Sequence, residues 1–288
     1  MTKHCTGRRW LLAIDGSPSA NQAAEYVARW AHAFDLEDVC VLYAQQSRSP
    51  DADRQSAHAT TVALRALDDA GIAYRARTDI GDPTEVIIAA AQSERATELL
   101  IGSGGMTMFA HLMLGSVAYK VIHLADLPIT VFPYPQHAAD HTAAESEDAH
   151  RLLIAVDGST HAMRAVHYAC DLAGTVPLEV TLLNVPLPIL SGNVRRFVSH
   201  EMIESYYQEE GRAALEPAET ALASSGIRAD RRIIAGHAGP TIVETANQCG
   251  CTRIVMGTRG AGAVGNVILG SVAYQVLYQA RLPVTLVK

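Results

Sequence analysis

GSGGMTMFAHLMLGS runs from Gly102 to Ser116, and GTRGAGAVGNVILGS runs from Gly257 to Ser271. Both stretches place glycine and serine on one grid, G-x2-G-x9-G-S: Gly102, Gly105, Gly115 and Ser116, then Gly257, Gly260, Gly270 and Ser271. With glycine near ~7% of residues in ordinary chains, one such match arises by chance in roughly one chain in a hundred. Two matches at equivalent places in two half-chains are not an accident of composition, and the repeated loop therefore governs both fold and function.

The halves correspond well beyond the loop. RWLLAIDGSPSA at Arg9 to Ala20 answers RLLIAVDGSTHA at Arg151 to Ala162, and LPITVF at Leu127 answers LPVTLV at Leu282, so the chain is a tandem duplication. Asp15 and Asp157 lie 142 residues apart but Gly102 and Gly257 lie 155 apart, which leaves 13 extra residues in the second copy. Ala70-Gly71-Ile72 against Ser225-Gly226-Ile227 already shows the larger offset, confining the insertion to Pro188 to Arg212. At 288 residues and 49% apolar content, two domains of about 150 residues each have a core apiece. The expected boundaries are 1–135 and 150–288 around a linker at 136–149, because YPQHAADHTAAESEDAH, from Tyr134 to His150, has no apolar periodicity.

Within the first copy, short apolar runs alternate with amphipathic stretches. Trp10 to Ile14 is a strand by length and flanks and stops at Asp15-Gly16-Ser17; Ser19 to Phe34 repeats apolar residues at helical spacing, with Ser17 or Ser19 as N-cap. Strands follow at Val39 to Ala44, Tyr74 to Asp79, Glu98 to Ile101 and Ile129 to Phe132, with helices at Ala57 to Ala70, Thr84 to Ser93 and Ser116 to Leu124. This alternation implies an α/β fold of two tandem doubly wound five-stranded parallel-sheet domains. Ligands of such sheets sit beyond the carboxyl ends of the strands where the winding reverses, and a reversal between the first and fourth strands brings Asp15 to the Gly102 loop.

A polyphosphate needs several donors converging on closely spaced oxygens, which backbone N–H groups supply where the chain turns tightly without a Cβ in the way. Gly102, Gly105, Gly257 and Gly260 suit that need, with Ser103 and Thr258 adjoining. The spacer returns the chain at Gly115-Ser116 and Gly270-Ser271, where a new helix starts and its N-terminus offers free N–H groups and partial positive charge. Asp15 and Asp157 end the first strand of each copy. A carboxylate there accepts from a ribose hydroxyl or an adenine amine, or else simply caps the D-G-S turn. Gly260-Ala-Gly262-Ala-Val-Gly265 also spells the dinucleotide signature, but Asn266 to Lys288 contains no acid to hold a ribose, and the first copy does not keep the pattern. No P-loop lysine motif is present in the sequence.

A formal charge of -7 and a pI near 5.9 disfavour nucleic acid as a partner. Five apolar residues after Lys3, Arg8 and Arg9 are too few for a signal core, and no stretch reaches the ~18 apolar residues of a membrane span, so the expectation is a cytoplasmic chain with no membrane partner. Five cysteines without disulfide-like spacing agree with a reducing compartment. Cys249-x-Cys251 is peculiar to one copy and reads as ordinary half-buried cysteine. His137-x3-His141 in the linker reads as solvated, since no ligand set accompanies it, and no metal-ligating residues are assigned.

The duplicated marks resemble those of the universal stress protein family in its tandem two-domain form, over nearly all of both halves except the linker and the insertion. ATP-binding members of that family carry G-x2-G-x9-G-[ST] after the fourth strand and an Asp closing the first, and both stand here twice. The resemblance implies an adenine nucleotide alpha hydrolase-like fold with strand order 3-2-1-4-5. It implies ATP with Mg or another divalent cation as ligand, the base touching the second strand's end around Ala44 and Val185, and a role in stress response. It also implies pairing of the halves about a pseudo-two-fold axis, largely through Ile129 to Phe132 and Val284 to Val287, and leaves room for a homodimer. One departure is visible: the family's Asp before the fourth strand is Thr97 and Thr252 here.

Phosphoryl transfer needs a group to position water and a cation to meet the developing charge. Arg259 aligns with Gly104 and His111 with Asn266, so no candidate acid, base or arginine finger is shared by the copies, and no catalytic residue is assigned. The leading expectation is a nucleotide-dependent regulator. The alternative is a slow ATPase or self-phosphorylating enzyme using one of the two sites. A third reading, a flavin or electron-transfer module, predicts a yellow protein.

Overall fold

The computed structural model describes residues 7–104, 114–134, 150–173, 177–188, 199–260 and 269–288. The chain divides into two compact units, Met1–Thr142 and Ala143–Lys288. The first unit runs β1 (Arg8–Ile14), α1 (Pro18–Trp30), β2 (Leu36–Gln45), α2 (Pro50–Asp69), β3 (Arg75–Ile80), α3 (Pro83–Ser93), β4 (Glu98–Gly102), α4 (Ser116–Leu124) and β5 (Ile129–Phe132). The second runs β6 (His150–Ala155), α5 (Thr160–Leu172), β7 (Leu178–Asn184), α6 (His200–Ser224), β8 (Ala229–Ile233), α7 (Ala238–Gln248), β9 (Arg253–Gly257), α8 (Ser271–Gln279) and β10 (Val284–Val287).

Strand order is β3-β2-β1-β4-β5 in the first unit and β8-β7-β6-β9-β10 in the second. Every pairing within a unit is parallel. This is the order 3-2-1-4-5 twice, with the reversal of winding between β1 and β4, and between β6 and β9. Trp10 through Ile14 and Glu98 through Ile101 are buried without alternation, as strands covered on both faces must be. Helices α1 and α2 pack on one another, as do α3 and α4; the second unit repeats this with α5 and α6, and with α7 and α8.

Two helix boundaries differ from the sequence expectation. The first helix stops at Trp30, four residues early, because the chain turns through Asp35 at φ +50°. Ala31 and Phe34 are still buried, so the apolar spacing marked the correct face but not the end. Helix α2 begins at Pro50 and not at Ala57: the Ser49 hydroxyl accepts from the Ala52 N–H at 3.0 Å with proline in the first turn. Its opening turns carry Asp51, Asp53 and Arg54, which give no apolar signal. Helix α6 has 25 residues against 20 for α2, so part of the insertion lengthens this helix; residues 189–198 of it lie outside the described residues, as do the linker and its His137 and His141.

At the start of β4 and β9, equivalent buried positions carry opposite charges. Glu98 Oε1 accepts from the Thr130 hydroxyl at 2.5 Å, whereas Arg253 Nε donates to the Thr285 hydroxyl at 2.5 Å and its guanidinium also donates to the Tyr168 hydroxyl at 2.6 Å. The duplication preserved the threonine and changed the charge. Burial, and then the nearby Arg253, hold the His150 pKa well below its ordinary value, so His150 is neutral in the folded second unit. An unfolded chain takes up that proton below about pH 6.5, and stability falls with pH by up to about 1.4 kcal/mol per unit in that window. Urea unfolding at pH 7.5 and 5.5 is expected to show His150→Leu losing part of the acid sensitivity of the parent chain; equal sensitivity contradicts this.

Candidate functional site

The site grows from two turns in each unit. At the end of β1, Gly16 has φ +80°, a backbone that favours glycine, and a Cβ there would also lie 2.9 Å from Ala59 Cα. The turn is braced by the Ser17 N–H donating to Asp15 Oδ1 at 2.9 Å, while the Ser17 hydroxyl caps α1 by accepting from the Ala20 N–H at 3.3 Å. The second unit repeats this with Gly158 at φ +79°, the Ser159 N–H on Asp157 Oδ1 at 3.0 Å, and the Ser159 hydroxyl on the Ala162 N–H at 3.1 Å. Both aspartates thus brace the turn, one of the two roles their position allowed.

The described ends of the glycine loop are tied to the last strand of the unit and to each other. In the first unit the Ser103 N–H donates to the Phe132 carbonyl at 2.7 Å, and the Ser103 carbonyl accepts from the returning Gly115 N–H at 2.6 Å. In the second, Thr258 N–H to Val287 carbonyl is 2.9 Å and Gly270 N–H to Thr258 carbonyl is 2.7 Å. Gly115 and Gly270 then stand as N-caps of α4 and α8 with no side-chain cap, as does His237 for α7, whereas α1, α2, α3, α5 and α6 each begin with a serine or aspartate acceptor. The N–H groups of α4 and α8 therefore remain available to an anion at Ser116 and Ser271.

The first glycine of the grid has a reason that the sequence did not reveal. A Cβ on Gly102 would lie 2.4 Å from Ser19 Oγ and 2.9 Å from the Ala20 N; on Gly257 it would lie 2.7 Å from the His161 carbonyl carbon. β4 approaches the first turn of α1, and β9 the first turn of α5, so closely that a Cβ at either glycine forces a shift, with or without a ligand. At Gly260 a Cβ would lie 2.6 Å from Asp157 Oδ2, so the first strand's aspartate and the arch are adjacent. Gly105, its counterpart in the first unit, lies outside the described residues.

A cavity of about 550 Å³ opens at the carboxyl ends of β1, β2 and β4. Asp15, Ala44, Gly102, Ser103, Gly115 and Ser116 all line it, residues from four separate segments of the chain. Apolar walls come from Ile14, Leu42, Ile87 and Ile101, and the described lining residues include no Lys, Arg or His. Tyr43 also lines it; burial, and then the Asp15 charge, raise its pKa, so the phenol stays protonated and can donate. The lining thus combines apolar side chains with the two ends of the glycine loop and the start of α4. In the second unit, Val185 stands where Ala44 stands in the first, since Ala155 pairs with Leu183 as Ala13 pairs with Leu42.

Sequence reasoning missed the use of Thr97 and Thr252. The Thr97 hydroxyl accepts from the Arg9 N–H at 3.0 Å and donates to the Arg9 carbonyl at 3.1 Å; Thr252 does the same to Arg151 at 3.2 and 3.0 Å. A hydroxyl makes both bonds, while an ionised carboxylate could make only the first. The repetition of threonine at both positions was the available signal.

Fold and site together define a tandem α/β protein in which the two ends of a glycine loop are hydrogen-bonded together beyond the fourth strand of each unit. The model of the universal stress protein family matches residues 7–133 and 149–288, and the chain belongs to that family. It is 33% identical over 144 residues to a universal stress protein of Thermus aquaticus, a match covering 48% of this chain and 97% of that relative. It is 31% identical over 144 residues to one from Methanocaldococcus jannaschii, covering 48% and 81%. A solved universal stress protein structure from Archaeoglobus fulgidus, 24% identical, aligns over 98% of this chain and 99% of its own with a TM-score of 0.69, which shows the shared fold. Among the described residues no helix is long and apolar enough to cross a membrane.

Proposed function

We propose that this universal stress protein is a stress-response regulator controlled by an adenine nucleotide, with ATP held in the cavity of the first unit. The observation that carries the reading is the convergence of Asp15, Ala44, Gly102, Ser103, Gly115 and Ser116 on one cavity of about 550 Å³, within the range of small-molecule sites. The base lies in the apolar slot near Ala44, and the phosphates take the N–H groups of the arch and of α4. A divalent cation such as Mg accompanies the triphosphate, because the described lining contributes a carboxylate, Asp15, and no cationic side chain.

Regulation, not turnover, is the role assigned, since no candidate acid, base or arginine finger is shared by the two copies of the loop. Nucleotide then acts by stabilising the state that binds it, by about 2.7 kcal/mol at a hundredfold excess over Kd. The described cysteines, Cys40, Cys170, Cys249 and Cys251, are free thiols, which suits a cytoplasmic setting. Calorimetric titration of the full chain with ATP and Mg tests the reading: saturable binding is expected, weakened at least about tenfold by Asp15→Lys through the reversal of charge and the loss of the turn brace. No heat and no bound nucleotide at millimolar ATP overturns it.

A further inference from the structure

The two units differ on the helix that follows the second strand. Ala52, in the opening turns of α2, lines the cavity of the first unit, as does Tyr43 near the end of β2. The corresponding helix of the second unit, α6, sits in the same register. A Cβ on Gly16 would lie 2.9 Å from Ala59 Cα, and one on Gly158 would lie 3.7 Å from the Cβ of Ala214, 155 residues beyond Ala59. The Ser56 and Thr78 hydroxyls meet at 3.4 Å, and their counterparts meet too, since a Cβ on Gly211 would lie 2.6 Å from Ile233 Cγ2. Past the second strand the Gly81 N–H donates to the Gln45 carbonyl at 2.9 Å, and the Gly236 N–H to the Pro186 carbonyl at 3.0 Å. One turn before Gly211, at the place of Ala52, stands Tyr207.

Tyr207 is 7% exposed, although Tyr206, Glu209 and Glu210 around it face solvent. It belongs to a buried stripe, Tyr207, Gly211, Leu215, Ala218 and Leu222, that recurs at helical spacing and turns α6 toward β7 and β8. Helical side chains tilt toward the N-terminus of their helix, so the ring leans beyond the carboxyl ends of the strands, where the methyl of Ala52 leaves the first unit open. The strand side has changed with it. In place of Tyr43 stands Asn184, which is 7% exposed and whose Nδ2 donates to the Val156 carbonyl at 2.8 Å. The aromatic ring has moved from the strand wall to the helix, and there it is buried.

We propose that Tyr207 fills, in the second unit, the space that a nucleobase takes in the first, so that the chain holds one adenine nucleotide although it carries the glycine grid twice. This rests on the nucleotide reading of the first cavity and assigns the copy of the grid to which that reading applies. A base is held in such a cavity largely by burying its faces against apolar walls. A buried tyrosine already makes contacts of that kind and must be expelled into water before a base can replace it. The second grid needs no ligand to explain it, since a Cβ on Gly257 would lie 2.7 Å from the His161 carbonyl carbon and packing alone demands glycine there.

The test is equilibrium dialysis of the full chain against ATP and Mg, counting nucleotide per chain at saturation. One is expected for the parent and none for Gly115→Glu at the same concentration. Tyr207→Ala, which restores the side chain of Ala52, is expected to raise the count to two, and Tyr207→Phe, which keeps the ring, to leave it at one. In the first unit Ala52→Tyr is expected to weaken ATP at least about tenfold, because the ring overpacks the space of the base. Circular dichroism identifies the variants that fold; should Tyr207→Ala not fold, Ala52→Tyr decides alone, since unchanged affinity there overturns the proposal. Two nucleotides on the parent, one on a folded Tyr207→Ala chain, or one retained by Gly115→Glu overturns it as well. A parent that binds none at millimolar ATP removes the nucleotide reading itself.

Discussion

The chain carrying Gly115→Glu is expected to lose ATP at the first arch by at least about a hundredfold while its thermal unfolding stays close to that of the parent. Gly115 has φ -67° and ψ 155°, a backbone that any residue adopts, so the glycine is not there for conformational freedom. It caps α4 and lines the cavity. A glutamate at a helix N-terminus is favourable to the helix itself, which is why folding survives. The same carboxylate sits where the phosphates are placed. At 4 Å and an effective dielectric of 20, a pair of like unit charges costs about 4 kcal/mol, more than the ~2.7 kcal/mol that a hundredfold loss requires. Calorimetry with ATP and Mg, run on the chain with Gly270→Glu already in place, isolates the first site; undiminished affinity would place the phosphates elsewhere.

The second large effect is on folding. Gly257→Val is expected to destabilise the second unit by about 1–3 kcal/mol, or more if α5 cannot shift, because the new side chain overpacks a close contact. At Gly257 the three atoms a Cβ would meet are the carbonyl carbon, Cβ and carbonyl oxygen of His161, at 2.7, 2.8 and 2.9 Å, none of them the end of a flexible chain. Gly102→Ala should be milder, since the nearest atom there is the Ser19 hydroxyl, which can rotate, although the Ala20 N at 2.9 Å cannot. Urea unfolding orders the variants: Gly257→Val first, Gly102→Ala next, the parent last. An unchanged midpoint for Gly257→Val would mean that the strand and helix are not in that contact.

These two glycines show what the sequence could and could not convey. The doubly wound parallel sheet was legible because short apolar runs alternate with amphipathic helices, and a reversal between the first and fourth strands brings Asp15 to the Gly102 loop; the full strand order and the place of Ala44 came with the family resemblance. The reason for Gly102 and Gly257 was not legible, because it depends on how closely a helix 80 to 100 residues away in sequence approaches the strand. The double hydrogen bonds of Thr97 and Thr252 were hidden for the same cause, since their partners Arg9 and Arg151 are remote along the chain. Glu98 read as the opening of a strand, yet it and its counterpart Arg253 are both buried, a rare state for such side chains unless their surroundings are specified in three dimensions. The repeat preserved Thr130 and Thr285 beside them, a trace that only the bonded geometry makes meaningful.

The most direct measurement is a crystal structure of the full chain grown with ATP and magnesium. Triphosphate density against Ser103, Gly115 and the N-terminus of α4, with the adenine beside Ala44, is the result expected. A first cavity that stays empty at saturating nucleotide, or one whose walls close over it, contradicts the assignment of ATP to this arch.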